Sequence, residues 1–208
     1  AGITNAALTA GTIDYGFVLL ETADITIADI DIDENATLYV LDDQTGDDDT
    51  LIITGAVDVL TATTLTIELG DVTLTSDTDT VGADSLTVAI GGALGGTTGS
   101  TLSRGGSLLL NGVNGLATTS TVTVAGNTHM TAITVEGGAG VDSGAVGSIV
   151  AATFGDATTD TFDSTGLTVT GGAAGTGSVA GGASSVTIAG TAAIGADGII
   201  LTGGVGAA

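Results

Sequence analysis

The sequence predicts an all-β fold, an irregular β-solenoid of short strands, and three observations carry that prediction. The first is a triplet in which threonine stands between two aliphatic residues. It occurs at Ile25-Thr26-Ile27, Leu65-Thr66-Ile67, Val72-Thr73-Leu74, Leu86-Thr87-Val88, Val122-Thr123-Val124, Ile133-Thr134-Val135, Leu167-Thr168-Val169 and Val186-Thr187-Ile188. Chance placement of 53 Val, Ile and Leu and 39 Thr in 208 residues gives far fewer. Successive side chains of a strand point to opposite faces, so each triplet reads as a short strand with its aliphatics inward and its threonine outward. The second observation is the shortage of large side chains. Tyr15, Phe17, Tyr39, Phe154 and Phe162 are the only aromatics, and Trp is absent. Aromatics normally supply much of the buried area of a thick core, whereas a narrow interior of stacked aliphatics is filled without them. The third is spacing: strand centres recur at 13 or 14 residues, from 26 to 39 to 52 to 66, from 73 to 87, from 109 to 123 and from 187 to 200. Other intervals are 7, 11 or 19 residues, shorter and looser than the named repeat classes. The alternative architecture is a β-sandwich or jelly roll with donor-strand exchange.

Taken in order, strands are expected at 12–20, 23–32, 36–41, 50–54, 56–60, 63–69, 71–76, 85–90, 107–111, 120–125, 131–136, 147–153, 166–170, 185–189 and 198–202. Turn signals separate them, among them Gln44-Thr45-Gly46, Gly70-Asp71, Gly91-Gly92, Asn111-Gly112, Gly137-Gly138, Gly171-Gly172 and Gly203-Gly204. Thr, Val, Ile and Gly disfavour helix throughout, and only 140–160, with its Ala and Asp, suits a short one. At about 20 residues per coil and about 4.8 Å per rung, ten coils would make a rod about 50 Å long.

The chain is read as a single elongated β domain spanning 1–208. Residues 1–84 hold 18 of the 24 acids but only seven of the 36 glycines, so an acidic, Gly-poor zone precedes a Gly-rich zone at 85–208. The change falls inside the strand pattern and marks different turn chemistry, with no linker.

A net charge of -23, with Arg104 the single Lys or Arg, excludes nucleic acid and disfavours anionic membranes. No apolar run reaches the about 18 residues that suggest a membrane span. Cys is absent, so neither a disulfide framework nor a thiolate metal site is available. The start at Ala1 reads as a mature secreted chain.

Stretches such as Asp84-Ser85-Leu86-Thr87-Val88-Ala89-Ile90-Gly91-Gly92 and Gly166-Leu167-Thr168-Val169-Thr170-Gly171-Gly172 resemble the repeats of bacterial surface adhesins and S-layer-type proteins. The resemblance implies an extracellular, often β-helical protein that commonly depends on calcium. The calcium-binding nonapeptide of the RTX proteins does not recur in tandem: its Gly-Gly-x-Gly-x-Asp core stands once, at Gly137-Gly138-Ala139-Gly140-Val141-Asp142, with Gly144 at the large apolar position, which argues against a calcium roll of that type.

The candidate metal ligands are Asp29, Asp31, Asp33, Asp42, Asp43, Asp47, Asp48 and Asp49. A hard cation such as calcium takes several carboxylate or carbonyl oxygens at about 2.3–2.6 Å. On a strand, Asp29 and Asp31 would sit about 6.7 Å apart on one face, so a third ligand must come from a neighbouring turn. Glu34 and Val40 stand where an EF-hand needs Gly and a bidentate Glu. The other reading is a solvated acidic face, which applies still more to Asp77 and Asp79.

Outward Thr-x-Thr pairs (Thr64/Thr66, Thr73/Thr75, Thr121/Thr123 and Thr168/Thr170) raise an ice-binding face, but this needs a regular array and the uneven spacing argues against one. Catalysis has little to use. His129 is the only His, no Gly-x-Ser-x-Gly elbow occurs, and His129 reads as a strand or turn residue. No phosphate loop is present, and the absence of Trp speaks against a sugar-cleaving site. Asn35-Ala36-Thr37 fits a glycosylation sequon, one of which a Thr-rich chain produces by chance.

Function is therefore expected in assembly. The strands Tyr15–Leu20 and Gly198–Thr202 are apolar and carry no Lys or Pro to block an edge. Two such ends on different surfaces give a self-propagating contact between copies, as a filament or surface lattice.

Overall fold

In the computed structural model the described residues are 8–9, 15–20, 25–32, 34–42, 49–71, 85–98, 101–103, 105–111, 119–140, 147, 149–176 and 180–206. Among them there is no helix, and the chain winds coil upon coil. The first coil contributes β1 (Leu8–Thr9) and β2 (Tyr15–Leu20), and the second β3 (Ile25–Ile27), β4 (Ile30–Ile32) and β5 (Ala36–Asp42). The third holds β6 (Asp49–Ile53), β7 (Val57–Val59) and β8 (Thr64–Asp71). The fourth holds β9 (Ser85–Ile90), β10 (Leu94–Thr98), β11 (Thr101–Ser103) and β12 (Gly105–Asn111). Longer strands follow: β13 (Thr119–Val124) and β14 (Thr128–Glu136), then β15 (Ile149–Phe154) and β16 (Thr161–Thr170), then β17 (Ser184–Ile188) and β18 (Thr191–Thr202).

Each strand pairs in parallel with its counterparts one coil before and one coil after, which is the arrangement of a β-solenoid with three faces. Face one is the six-stranded sheet β3-β6-β9-β13-β15-β17. Face two stacks β1, β4, β7 and β10 on the first parts of β14, β16 and β18. Face three stacks β2, β5, β8 and β12 on the second parts of the same three long strands. Faces two and three thus share the strands that bend around their common corner. The hairpin of β10 with β11, antiparallel through Gly96 and Ser103, is the exception to the parallel rule.

The threonine triplets do what their alternation predicts. Their aliphatics stack in columns one residue wide, such as Ile27–Ile53–Ile90–Val124–Phe154–Ile188 on face one and Ala36–Leu65–Leu108–Ile133–Leu167–Ile199 on face three. The buried apolar residues among those described form a single cluster. Its two aromatics, Phe154 and Phe162, lie on facing columns of one coil with ring centroids 4.9 Å apart and tilted by 54°. A thin aliphatic interior is the core that the composition required.

The coil is longer than the spacing suggested. Register partners Ile27, Ile53, Ile90, Val124, Phe154 and Ile188 are 26, 37, 34, 30 and 34 residues apart. The 13-residue interval is half a coil: 26 to 39 steps from face one to face three, and 39 to 52 steps back. Seven rungs at about 4.8 Å span about 30 Å, so the rod is shorter and thicker than expected.

Face two is where the sequence reading falls short, although β7 matches the strand expected at 56–60. β1, β10, β11 and the opening parts of β14, β16 and β18 were not foreseen, and 23–32 is two strands with a corner at Ala28 and Asp29. The reason lies in the inward residues. Thr128 and Met130, or Phe162 and Ser164, replace the paired aliphatics that mark a triplet. Of the short helix suited to 140–160, the described part, 149–160, forms strand β15 and a turn at 156–159 instead, because Val150, Ala152 and Phe154 alternate inward, and 141–146 lie outside the described residues. The strand expected at 71–76 lies, beyond Asp71, outside the described residues.

Candidate functional site

The corner between faces one and two is built from stacked backbone. Gly55 N donates to Ala28 O (2.7 Å), Gly92 N to Gly55 O (2.8 Å) and Gly126 N to Gly92 O (3.1 Å). A Cβ on Gly92 would lie 2.5 Å from the carbonyl of Gly55, and one on Gly126 would lie 2.8 Å from that of Gly92. Glycine is required here by close approach of successive coils, and this accounts for part of the Gly-rich zone.

Asp29 sits at the first of these corners, exposed, and its Oδ1 accepts the backbone N–H of Ala56 one coil on (3.0 Å). Two asparagines repeat the device. Asn35 Oδ1 accepts from Thr64 N (2.9 Å), and Asn127 Oδ1 accepts from Thr161 N (2.8 Å) and Thr161 Oγ1 (3.1 Å). Each short polar side chain holds its own coil to the next.

Asp31 lies on the exposed side of β4, in register with Asp58 of β7. Partial burial, then the charges of Asp58 and Asp29, raise its carboxyl above the ordinary value of 3.8. Asp42 ends β5 on face three beside Asp71, and Asp49 begins β6 on face one beside Leu86. Asp33, Asp43, Asp47 and Asp48 lie outside the described residues, as do Asp77, Asp79 and Arg104. The described members of the acidic set are therefore spread over a corner and all three faces. Among the described residues no group of three or more Asp, Glu or His gathers in a way that would hold a metal.

His129 is a strand residue of β14 and faces Asp163 of the next coil, Nδ1 to Oδ2 3.8 Å. Ser164, the neighbour of Asp163, is buried and gives its hydroxyl to Gly166 O (2.9 Å), so it faces away from the His–Asp pair. Asp160 closes the turn at 156–159. Its Oδ2 accepts from Ala157 N (2.8 Å) and Asp156 N (2.9 Å), and these two bonds hold its carboxyl below the ordinary range.

Among the described residues the last coil has a neighbour on one side only. Within the described residues β17 pairs only with β15 and β18 only with β16. Ile199 and Leu201 continue the buried columns of Leu167 and Val169, yet they are 41% and 53% exposed. Val186, Ile188 and Ile194 of the same coil are only partly covered. At the other end of face three, β2 pairs only with β5 among the described residues. The two apolar strands picked out in the sequence are thus opposite terminal rungs of one ladder. No protein-family model, no curated protein and no solved structure matches this chain.

Proposed function

We propose that this chain is a structural extracellular protein whose copies stack end to end, as a filament or surface lattice, through their terminal rungs. The observation that carries the reading is this one-sided last coil. There the inward columns of face three end in exposed Ile199 and Leu201 on a strand hydrogen-bonded along one edge. A second copy that sets its β2 against β18 would continue the parallel ladder and cover those side chains. The contact joins different surfaces of the two copies, so it repeats without closing. An exposed apolar edge without Lys or Pro is the kind that monomeric β proteins block. The net charge of -23 keeps nucleic acid out of the partnership, and the setting at a cell surface follows the likeness of the strand repeats to adhesins and S-layer proteins.

Sedimentation across a range of concentrations tests this. Association that grows with concentration and is abolished by Leu201→Lys, with thermal melting unchanged, is the expected result. A wild-type chain that stays monomeric throughout overturns it. A second reading, a calcium-dependent adhesin or binding module, draws on the carboxylates of Asp31 and Asp58 in register on adjacent rungs beside Asp29. Thermal stability that does not change on chelation and calcium return removes that reading.

A further inference from the structure

The described side chains that point outward from one face of this polyanion carry no charge. Thirteen described side chains alternate outward on face one: Thr26, Thr50, Ile52, Thr87, Ala89, Thr119, Thr121, Thr123, Ile149, Ala151, Thr153, Ser185 and Thr187. Nine are Thr or Ser, and none of the thirteen is ionisable. The other faces differ. Asp31, Asp58, His129 and Asp163 stand in one register column of face two, interrupted by Gly95, and Glu68 and Glu136 share a column of face three.

Of the Thr-x-Thr pairs noted in the sequence only Thr121/Thr123 lies on face one, and Thr64/Thr66 and Thr168/Thr170 lie on face three, but single threonines of successive coils come into register on face one. Variation in coil length is taken up in the corners and the returns between faces, and pairing within face one stays in register on every rung. One column reads Thr50, Thr87, Thr121, Ala151, Ser185, and the next reads Thr26, Ile52, Ala89, Thr123, Thr153, Thr187. Rungs lie about 4.8 Å apart and alternate residues about 6.7 Å apart along each strand. The result is a two-dimensional grid of hydroxyls and methyls, held stiffly because threonine is branched at Cβ.

The occupant follows from what the grid offers and lacks. A protein partner wants large buried anchors at the centre of its contact, and only Ile52 and Ile149 are of that size here. A sugar wants aromatic platforms and an anion wants cations, and the thirteen positions supply neither. Solid water is uncharged and periodic in two dimensions on this length scale. It rejects ions, which fits thirteen uncharged outward positions on a molecule of net charge -23. We propose that the outer surface of face one binds ice.

This inference is independent of end-to-end assembly, since the grid lies on the side of the solenoid and is complete in one copy. The test measures thermal hysteresis and ice-crystal shaping by the full chain. Two variants, Thr123→Lys and Thr187→Lys, are compared with Thr134→Lys on face three as control, and circular dichroism reports the fold of each. The wild type and the control are expected to shape ice and to open a hysteresis gap, and both face-one variants to lose it while keeping their melting transitions. A wild type without hysteresis or shaping overturns the proposal, as does equal loss in the control. Lateral pairing of copies that Thr123→Lys abolishes, without any effect on ice growth, would assign the face to a second copy and also overturn it.

Discussion

At the scale of single residues, a few positions break the stacking rules, and each yields a measurable consequence. Thr128 stands in the inward column of face two between Leu94 and Phe162, fully buried, and its Oγ1 has no hydrogen-bond partner. A buried hydroxyl left unpaired carries its desolvation cost without return. Thr128→Val keeps the branched shape and is expected to raise stability by about 1 kcal/mol, read as a higher urea midpoint. Gly92→Ala is expected to do the reverse, at a cost of about 2 kcal/mol, because its methyl would fall on the backbone of Gly55 in the coil below. Two aspartates predict opposite pH behaviour. The raised carboxyl of Asp31 favours the folded state when protonated; that contribution is full below the ordinary value of 3.8 and is lost as pH rises through the raised value. Asp31→Asn should therefore melt higher than wild type at pH 7, with the gain fading in acid. The lowered carboxyl of Asp160 favours folding above 3.8 and loses that effect as pH falls through its lowered value. Asp160→Asn should melt lower at pH 7, the deficit closing in acid. Comparing each variant with wild type at the same pH removes the general repulsion among the other acids.

At the scale of elements, the strands of faces one and three and β7 of face two are legible in the sequence, and most of the rest of face two is not. Two inward aliphatics around an outward threonine, as in Val122-Thr123-Val124, announce a strand from sequence alone. The later coils write face two as Thr128-His129-Met130 or Thr161-Phe162-Asp163-Ser164, where one inward position holds a hydroxyl residue, whereas Val57-Asp58-Val59 of β7 keeps its aliphatic pair. Those segments are strands because the coils before and after supply the hydrogen bonds, a long-range cause that local composition does not record. The corners follow the same logic. Nothing in the acidic run marks Asp29 as a coil-to-coil staple until Ala56 is placed beside it 27 residues away. Asn127 makes the point testable, since its Oδ1 serves both the N–H and the hydroxyl of Thr161. Asn127→Ala is expected to lower stability by about 1 kcal/mol, and hydrogen exchange should quicken first at Thr161.

At the scale of the whole molecule, the sequence carried the class of fold and the kind of core, while coil length stayed hidden. A shortage of aromatics and an excess of aliphatic–threonine alternation both demand a narrow stacked interior, and the columns through Leu65 and Val122 are that interior. The 13-residue interval hid the coil because each early coil carries one strand centre on face one and another on face three, so the interval measures half a turn. Of the acidic cluster, only the crowding of Asp31 follows from its alternation with Asp29 and the proximity of Asp58, and the separation of Asp42 and Asp49 onto different faces depends on where the coil bends. The ends were more readable than the middle: apolar runs at 15–20 and 198–202 were visible as unguarded strands, and the fold makes them the opposite terminal rungs of face three. Electron microscopy of the concentrated native chain tests most directly whether copies stack through those rungs. Unbranched filaments that lengthen with concentration and vanish in Leu201→Lys are the expected result, and discrete particles of uniform size at every concentration would overturn end-to-end stacking.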